Sequence, residues 1–460
     1  MNLYTQVSSG VIFPLHERLK GHTSVSLRHR LEESQWWSAD ELDVHRTTRL
    51  REFLVDIGRR VPYYRNLFKS HGFDPHAVRS TTDLSALPLL SKHDIRENIE
   101  KLKGDGHGLL ARYNTGGSSG EPLIFYMGKD RKSHDVAAKW RATRWWGVDI
   151  GDPELVVWGS PIELGAQDRL RRLRDGILRT HLLPAFDMSQ NNLDSFIATI
   201  RSVRPKMLFG YPSSISLIAK HARQKGMPLN NLGIRVAFVT SEKLYDEQEI
   251  VIREVFGCPV ANGYGARDAG FIAHQCPSGS LHISAEDIIV ETVDSEGRSV
   301  SIGEVGEIVV THMATADYPF VRYRTGDMGV LGSKRCACGR GLPVLSELQG
   351  RSTDFVVARD GTVMHGLALI YTLRDLPGVE RFRIEQISLD LIVVKVVAGA
   401  AFSLACEARI VRDFKARLGE TVEILIEKVC DIPVESSGKY RYVSSRVKAL
   451  ANITGGPTYA

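Results

Sequence analysis

The sequence predicts a multidomain protein of mixed α/β and α+β class. We expect a large N-terminal domain of mixed sheets flanked by helices, with a β-rich subdomain, and then a small C-terminal α+β domain. Two observations predict this order. Buried-strand patterns alternate with helical periodicity over residues 106–275, and closely spaced strand patterns follow over 276–350. With 460 residues, the chain is long enough for several hydrophobic cores.

The first part of the large domain, residues 1–105, is predicted to be mainly helical. Apolar side chains recur every three or four residues over 41–59, which is typical of an amphipathic helix. Ser91, with acidic residues after it, has the pattern of a helix start before Ile95 and Ile99. We therefore expect a helical layer ahead of the first sheet.

The α/β part is predicted from apolar runs that alternate with helical stretches. The buried strands are expected at 155–158, 206–210 and 236–239, and the helices at 192–203, 213–224 and 245–255. Strands at 287–293 and 305–311 begin the β-rich part. The tail has the pattern of a strand pair at 382–386 and 391–397, a helix at 405–418 and a strand at 422–429. We place the domain boundary between residues 350 and 351.

Composition excludes several classes of function. The net charge is only +5, from 59 basic and 54 acidic side chains, which disfavours a nucleic-acid partner. No apolar run is long enough for a membrane span, and the N-terminus lacks the pattern of a secretory signal, so we expect a cytoplasmic protein. The arginine-rich stretch 169–179 is typical of an amphipathic surface helix, although a phosphate-bearing partner is an alternative.

A glycine-rich stretch, YNTGGSSGEPL at 113–123, predicts a phosphate-binding loop. Glycines let the backbone approach an anion closely, and hydroxyls and amide groups donate to it. The stretch lacks the lysine of the P-loop signature, and it does not match the GxGxxG pattern of dinucleotide sites. A flexible surface loop is the alternative interpretation.

Four further segments follow the loop in a fixed order. They are Asn262-Gly263-Tyr264-Gly265-Ala266-Arg267-Asp268, Tyr323-Arg324-Thr325-Gly326-Asp327, Gly350-Arg351-Ser352-Thr353-Asp354 and Ser436-Ser437-Gly438-Lys439. With the loop, they make the chain resemble the adenylate-forming superfamily of acyl-CoA synthetases and related ligases. The stretches Trp36-Trp37-Ser38 and Val61-Pro62-Tyr63-Tyr64-Arg65 are similar to the branch of phenylacetate-CoA ligase, coenzyme F390 synthetase and CapK.

The resemblance implies an AMP-forming ligase. A carboxylate attacks the α-phosphorus of ATP to give acyl-AMP and pyrophosphate, and a thiol such as coenzyme A, or an amine, then displaces AMP. The glycine-rich loop would hold the β- and γ-phosphates, whose charge must be met before pyrophosphate can leave. Its ATP-binding residues are Thr115, Gly116, Gly117, Ser118, Ser119 and Gly120. The family's loop often ends in lysine, where this chain has Leu123.

The resemblance also assigns the nucleoside and Mg²⁺ residues. Tyr264 would stack on adenine, with Asn262 and Gly263 at the edge of the base. Asp327 would accept the two ribose hydroxyls, a task that needs an ionised carboxylate. Asp268 would bind Mg²⁺, although the superfamily usually has glutamate there and the shorter side chain allows coordination through water.

The proposed catalytic residues are Arg351 and Lys439. Arg351 would reach a phosphate or the ribose with its planar set of donors. Lys439 would bridge the substrate carboxylate and the α-phosphate. The C-terminal domain would act as a mobile lid that rotates between the two half-reactions. The superfamily often has Asp or Lys at the pivot position, where this chain has Thr353, and this departure weakens the rotation hypothesis.

A structural zinc site is predicted from Cys276 and His282, in a C-x5-H pattern, and Cys336 and Cys338, in a C-x-C pattern. Three thiolates and an imidazole form a common tetrahedral zinc shell. The CapK-like branch is similar in carrying both motifs. His274 is a competing ligand, and a set of reduced, metal-free cysteines is the alternative.

The acid and its acceptor are less defined. The family places the acyl pocket near Tyr211, Ile215, Phe238 and Ser241, side chains that could equally belong to the core. The segment Asp360-Gly361-Thr362-Val363-Met364-His365-Gly366 departs from the usual glycine-rich loop of acyl-CoA synthetases, which weakens the coenzyme A interpretation. The rival hypotheses are an amide-forming ligase, a catalytically degenerate acyl- or nucleotide-binding protein, and a zinc-containing nucleic-acid binder. A homodimer is also possible under the family resemblance.

Overall fold

The computed structural model describes residues 2–115, 123–158, 169–185, 190–351, 355–359, 363–365, 367–374, 376–433 and 441–447. Its α-helices are α1 Leu3–Val7, α2 Phe13–Leu19, α3 Ser24–Ser34, α4 Ala39–Arg60, α5 Pro62–His71, α6 Lys92–Glu97, α7 Lys129–Trp145, α8 Arg169–Leu178, α9 Gln190–Val203, α10 Pro212–Gln224, α11 Asp246–Phe256, α12 Leu367–Arg374 and α13 Leu404–Leu418. A π-helical segment, Ser8–Ile12, joins α1 to α2, and short 3₁₀ helices span Pro75–Ala77 and Thr81–Ala86.

The strands are β1 Ala111–Asn114, β2 Ile124–Met127, β3 Glu154–Trp158, β4 Thr180–Pro184, β5 Met207–Gly210, β6 Val236–Thr240, β7 Val260–Ala266, β8 Gly270–Gln275, β9 Leu281–Ile283, β10 Ile288–Val293, β11 Val305–His312, β12 Tyr323–Gly332, β13 Val344–Arg351, β14 Phe355–Val357, β15 Val363–His365, β16 Val379–Gln386, β17 Leu391–Ala398, β18 Glu423–Lys428 and β19 Val443–Ser445.

The large domain is organised around one eleven-stranded sheet with the order β10-β11-β12-β13-β9-β8-β7-β6-β5-β3-β4. At one end of the sheet, β4, β3, β5, β6 and β7 pair parallel with one another. From β7 onwards in the sheet order, through β8, β9, β13, β12 and β11 to β10, every pair is antiparallel. The predicted β-rich part is therefore a continuation of the α/β sheet and not a separate sheet. The sequence pattern could not show this, because strand periodicity carries no information about which strands pair.

The helix start predicted at Ser91 is present, and Ser38 starts the preceding long helix in the same way. Ser38 and Ser91 each form a capping box, in which the serine hydroxyl accepts from the third helical N–H and the acidic side chain there accepts from the serine N–H. Helix α4 spans Ala39–Arg60 and packs its apolar face, including Leu50 and Leu54, into the core of the antiparallel half of the sheet. The N-terminal helices thus support the strands that carry the candidate site.

The C-terminal part has its own four-stranded sheet, ordered β18-β17-β16-β19, with α12 and α13 packed against it. The expected strand pair is present as the antiparallel hairpin β16–β17. This part contacts the large domain through Arg374, whose guanidinium pairs with Glu247 at 2.7 Å and lies 4.4 Å from the ring centre of Tyr245. The fold therefore has the predicted large and small units.

Candidate active site

Two of the predicted nucleoside-binding residues meet directly. Tyr264 lies on β7 and Asp327 on β12, and the Tyr264 hydroxyl donates a hydrogen bond to Asp327 Oδ2 at 2.9 Å. Burial, and then the neighbouring Asp327 charge, raise the pKa of Tyr264 well above its ordinary value. The phenol therefore remains a proton donor at physiological pH. The two motifs, 63 residues apart, converge on one point of the sheet.

The turn before Asp327 is shaped by its neighbours. Gly326 has φ +77°, a conformation that favours glycine, and the Thr325 hydroxyl accepts from the Asp327 N–H at 3.1 Å. Across the β12–β13 ladder, Asp327 stands opposite Arg351. The backbone therefore brings these two predicted ATP-binding residues side by side.

Asp268 is held by a residue whose role the sequence did not predict. The Tyr323 hydroxyl donates to Asp268 Oδ2 at 2.5 Å, and both side chains are buried. Tyr323 is the first residue of the quoted motif that contains Asp327, but an aromatic at the start of a strand is usually a core residue. The hydrogen bond fixes the orientation of the carboxylate predicted to bind Mg²⁺.

Arg131 on α7 is a second supporting residue that sequence reasoning missed. Its guanidinium donates to the carbonyls of Arg267 and Asp268 at 3.2 and 3.3 Å and pairs with Asp135 at 3.1 Å. Arg131 is only 3% exposed. In the sequence it stands among charged residues of a helix, and no local signal separates it from a solvated arginine. It fixes the backbone that carries Asp268.

The described base of the glycine-rich loop lies against the same segment. Strands β1 and β2 pair antiparallel, and at their end the Leu123 N–H donates to Thr115 Oγ1 at 2.9 Å. Arg267 donates to the Asn114 carbonyl at 3.2 Å, next to the point where the loop leaves β1. The predicted loop residues Gly116, Gly117, Ser118, Ser119 and Gly120 lie outside the described residues, as does Lys439.

Asn262 and Gly263 lie on β7 directly before Tyr264. The Asn262 N–H donates to Gln275 Oε1 at 2.8 Å. Gly263 is required by a close approach, because a Cβ there would lie 2.7 Å from the Phe238 ring. An open cleft of about 680 Å³ borders Asn262 and extends towards Cys336.

The predicted acyl-pocket residues are mostly core side chains in this structure. Tyr211 stacks on Trp158 with ring centres 4.4 Å apart, and Ile215 and Phe238 are fully buried. Ser241 is half-buried and has a left-handed backbone, with φ +72°. A non-glycine residue in this conformation carries local strain, a feature that is frequent at binding sites. Ser241 is thus the member of the set whose geometry differs most from that of a core residue.

The four predicted zinc ligands come together. The ligand atoms of Cys276, His282, Cys336 and Cys338 all lie within 4.8 Å of one another. Cys276 Sγ is 3.6 Å from Cys336 Sγ, and Cys338 Sγ is 3.3 Å from His282 Nε2. Tetrahedral zinc at a Zn–S distance of ~2.3 Å separates its ligand atoms by a little under ~4 Å, so the set fits the ion.

The surroundings of the cluster also favour a metal. His282 Nδ1 lies 3.2 Å from the Leu342 carbonyl, an arrangement that turns Nε2 towards the three sulfurs. His274, the competing ligand, instead stacks on Phe271 with ring centres 5.5 Å apart. The connection between β12 and β13, which carries Cys336 and Cys338, also docks on the N-terminal helices, where the Gly341 N–H donates to the Gln35 carbonyl at 2.9 Å. The cluster therefore lies where three parts of the large domain meet.

A second group of potential ligands, His134, Asp135 and His312, lies behind the Asp268 segment. His134 and His312 are fully buried with ring centres 4.7 Å apart, and burial lowers the pKa of both. Asp135 is already paired with Arg131, and the Arg131 charge contributes to lowering the pKa of His312. Because the Arg131 cation lies near the histidines and the Asp135 carboxylate is already paired, this group does not favour a second metal site.

Within the described part of the chain, no helix combines the length and apolar character needed to cross a bilayer.

Comparisons with known proteins agree with the fold and the motif order. Residues 356–446 match the family model of the CapK C-terminal domain. The chain is 24% identical over 411 residues to protein CapK of Staphylococcus aureus, which covers 87% of this chain and 88% of that protein. It is 24% identical over 428 residues to the phenylacetate-coenzyme A ligase of Thermus thermophilus, with 86% and 94% covered.

A solved structure has the same architecture. The crystal structure of 2-hydroxyisobutyryl-CoA ligase, in the postadenylation state in complex with 2-HIB-AMP, superposes with a TM-score of 0.73 at 21% identity and covers 90% of this chain and 91% of that one. Over most of its length the chain is therefore similar to CapK and the phenylacetate-CoA ligases, and it has the fold of the adenylate-forming ligases.

Proposed function

We propose that the protein is an ATP-dependent, AMP-forming ligase that adenylates a small-molecule carboxylic acid and transfers the acyl group to coenzyme A. The observation that carries the proposal is the hydrogen bond from Tyr264 to Asp327, because it unites the two predicted nucleoside motifs. The phenylacetate-coenzyme A ligase and the 2-hydroxyisobutyryl-CoA ligase to which the chain is similar support coenzyme A as the acceptor.

In this proposal ATP lies across the ends of β7 and β12. Adenine stacks on Tyr264, with Asn262 and Gly263 at its edge, and the ribose hydroxyls donate to Asp327. Thr115 and the glycine-rich loop that follows it bind the β- and γ-phosphates. The contact of Arg267 with Asn114 supports such an arrangement, because it brings the described end of β1, from which the loop starts, close to the segment that carries Asp268.

Asp268 is the proposed Mg²⁺ ligand. The bound Mg²⁺ would offset phosphate charge as pyrophosphate leaves. Tyr323 and Arg131 would keep the carboxylate and its backbone in place, which lowers the reorganisation needed at the moment of reaction.

Arg351 and Lys439 are the proposed catalytic residues, and the boundary between residues 350 and 351 would separate the large domain from the C-terminal lid. The position of Arg351 opposite Asp327 supports its contact with the ribose or a phosphate. Replacing Lys439 with alanine should abolish adenylation but leave the attack of coenzyme A on preformed acyl-AMP nearly unchanged. Equal loss of both half-reactions would reject the assigned role.

The zinc site is proposed as structural. Three sulfurs and one imidazole within 4.8 Å support it, and the ion would hold the β12–β13 connection against β8 and β9. Metal analysis of protein purified without chelator is expected to give close to one zinc per chain. Protein with less than about half an equivalent and an unchanged melting temperature would reject the site.

The test of the ligase proposal is acid-dependent exchange of pyrophosphate into ATP, measured over a panel that includes phenylacetate, 2-hydroxyisobutyrate, benzoate and aliphatic acids. The candidate pocket residues Tyr211, Ile215, Phe238 and Ser241 would then be varied with the best acid. Exchange that requires an acid, followed by thioester formation with coenzyme A, is the expected result. If none of the acids in the panel supports exchange, the result would favour a degenerate binding protein.

Amide formation is the second candidate for the transfer step. The segment 360–366, which departs from the usual loop of acyl-CoA synthetases, favours it. Mass spectrometry of products formed with coenzyme A and with amines distinguishes thioester from amide formation.

ATP and coenzyme A are cytoplasmic metabolites, so the proposed location is the cytoplasm. Light scattering of the purified protein tests for a homodimer.

A further inference from the structure

The first helical stretch of the chain is turned the opposite way from an ordinary surface helix. Five aliphatic side chains, four residues apart, point to solvent. These are Leu3, Val7, Val11, Leu15 and Leu19, exposed by 76, 43, 61, 57 and 80%. We call these five residues the N-terminal apolar row. A surface helix of a globular protein normally buries such a stripe and exposes its polar side.

The π-helical segment Ser8–Ile12 keeps the row on one side. In an α-helix each step of four residues advances by about 40° beyond a full turn, so a row with this spacing winds around the helix. A π-helical turn contains more residues and therefore reverses part of that drift. Because the segment lies between α1 and α2, the five side chains remain on a common outer face.

The inner face of the same stretch is mostly polar, although it includes the buried Phe13, and it is firmly held. Thr5 Oγ1 donates to Asp152 Oδ1 at 2.8 Å. Ser8 packs so closely on Gly151 that a Cβ there would lie 2.3 Å from the serine Cβ. Glu17 is 3% exposed and hydrogen-bonds Ser24. Buried polar contacts thus set the orientation of the helix and leave its apolar side outward.

Helix α8 extends the exposed face. The Tyr4 hydroxyl donates to the Ile177 carbonyl at 2.6 Å, and the Arg179 guanidinium lies 3.8 Å from the centre of the Tyr4 ring. Leu173 and Ile177 add two more exposed aliphatic side chains beside the row. Half of the large exposed apolar side chains of the described residues therefore belong to this one face. Apolar patches of this kind on a soluble domain mark interaction sites.

The two segments that form this face are rich in basic residues. Residues 169–179 contain five arginines and one aspartate, and Asp175 is paired with Arg174. In residues 2–20 the only acidic side chain is the buried Glu17, whereas Arg18 and Lys20 are exposed. The face thus combines an aliphatic row with a cationic surround, the composition of helices that lie in the interface of anionic bilayers.

We propose that this face, formed by the N-terminal apolar row and α8, binds the surface of an anionic lipid membrane. The aliphatic side chains would enter the boundary between headgroups and acyl chains, and the basic side chains would contact lipid phosphates. A second copy of the chain suits the face less well, because a symmetric contact would bring two cationic surrounds together. The proposal concerns peripheral binding and is independent of the ligase reaction.

The test uses the full-length protein and flotation with two kinds of vesicle, one of phosphatidylcholine alone and one of equal parts phosphatidylglycerol and phosphatidylcholine. The protein should float with the anionic vesicles, and added salt should weaken the binding. The double variant Val11→Ser/Leu15→Ser and the double variant Arg18→Gln/Lys20→Gln should each lower vesicle affinity at least tenfold. The matched control Val44→Ser/Leu404→Ser changes two aliphatic side chains that are equally exposed elsewhere and should float like the wild type.

All variants change exposed side chains, so their melting temperatures should match that of the wild type, and pyrophosphate exchange should be unaffected. Absence of flotation by the wild type, or equal loss in the Val44→Ser/Leu404→Ser control, would overturn the proposal. Light scattering provides the other decisive outcome. A wild-type dimer that Val11→Ser/Leu15→Ser converts to monomer, with no vesicle binding, would identify the face as a self-interface.

Discussion

Tyr264→Phe isolates the contact on which the proposed nucleotide site depends. The substitution removes one hydroxyl and leaves the ring that is proposed to stack on adenine. In the wild type this hydroxyl donates to Asp327 Oδ2 at 2.9 Å. Without it, the carboxylate proposed to accept the ribose hydroxyls loses one of the groups that position it. We therefore expect weaker ATP binding with little change in the fold.

The magnitude follows from the surroundings of the pair. A hydrogen bond to a charged group contributes about 1.5–3 kcal/mol. Asp327 is only half-buried, so water can replace part of the lost interaction, and we expect the lower end of that range. Since about 1.4 kcal/mol corresponds to a factor of ten, kcat/KM for ATP in pyrophosphate exchange should fall roughly tenfold. Most of the change should be in the KM for ATP.

A double-mutant cycle with Asp327→Asn tests the contact itself. In the Asp327→Asn background, Tyr264→Phe should have little further effect. Effects that add to within about 0.3–0.5 kcal/mol would refute the coupling. Tyr318→Phe is the matched control, because Tyr318 is buried but its hydroxyl has no hydrogen-bond partner among the described residues. This control should leave the KM for ATP unchanged.

Three further predictions concern the supporting residues. Arg131→Met should raise the Mg²⁺ concentration needed for half-maximal pyrophosphate exchange several-fold, and Arg131→Lys should restore part of the wild-type Mg²⁺ dependence. A lower melting temperature with an unchanged Mg²⁺ dependence would indicate a purely structural role for Arg131. Cys338→Ser should lower zinc content and melting temperature together, and chelator should then have no further effect on the melting temperature. Cys430→Ser, at an exposed cysteine, should change none of these properties. Burial lowers the pKa of His134 and His312. Below pH 6.5 the unfolded chain therefore binds protons that the folded chain does not, and the free energy of unfolding should decrease as the pH is lowered. Urea unfolding should show a drop of at most about 1 kcal/mol per histidine from pH 6.5 to 5.5. His134→Leu should reduce this slope and the exposed His71→Gln should not, and an unchanged slope in His134→Leu would contradict the assignment.

Local sequence patterns were sufficient for most helices and strands. The helix start at Ser91 and the strand pair β16–β17 depend on residues close together in the chain, so cap chemistry and periodicity predict them. The orientation of the N-terminal helical stretch was not predicted, because a mixed apolar pattern does not show which side of a helix is buried. Its orientation depends on Asp152 and Gly151, far away in the chain.

The sequence by itself determined the order of the motifs, the residue types proposed to bind ATP and zinc, and the resemblance to the adenylate-forming ligases. Only the tertiary structure decided that the β-rich strands continue the α/β sheet, that Tyr323 and Arg131 hold the Asp268 segment, and that the four dispersed residues predicted to bind zinc meet. The physical reason is that strand pairing and side-chain contacts over long separations depend on register and packing, which periodicity within one segment does not encode.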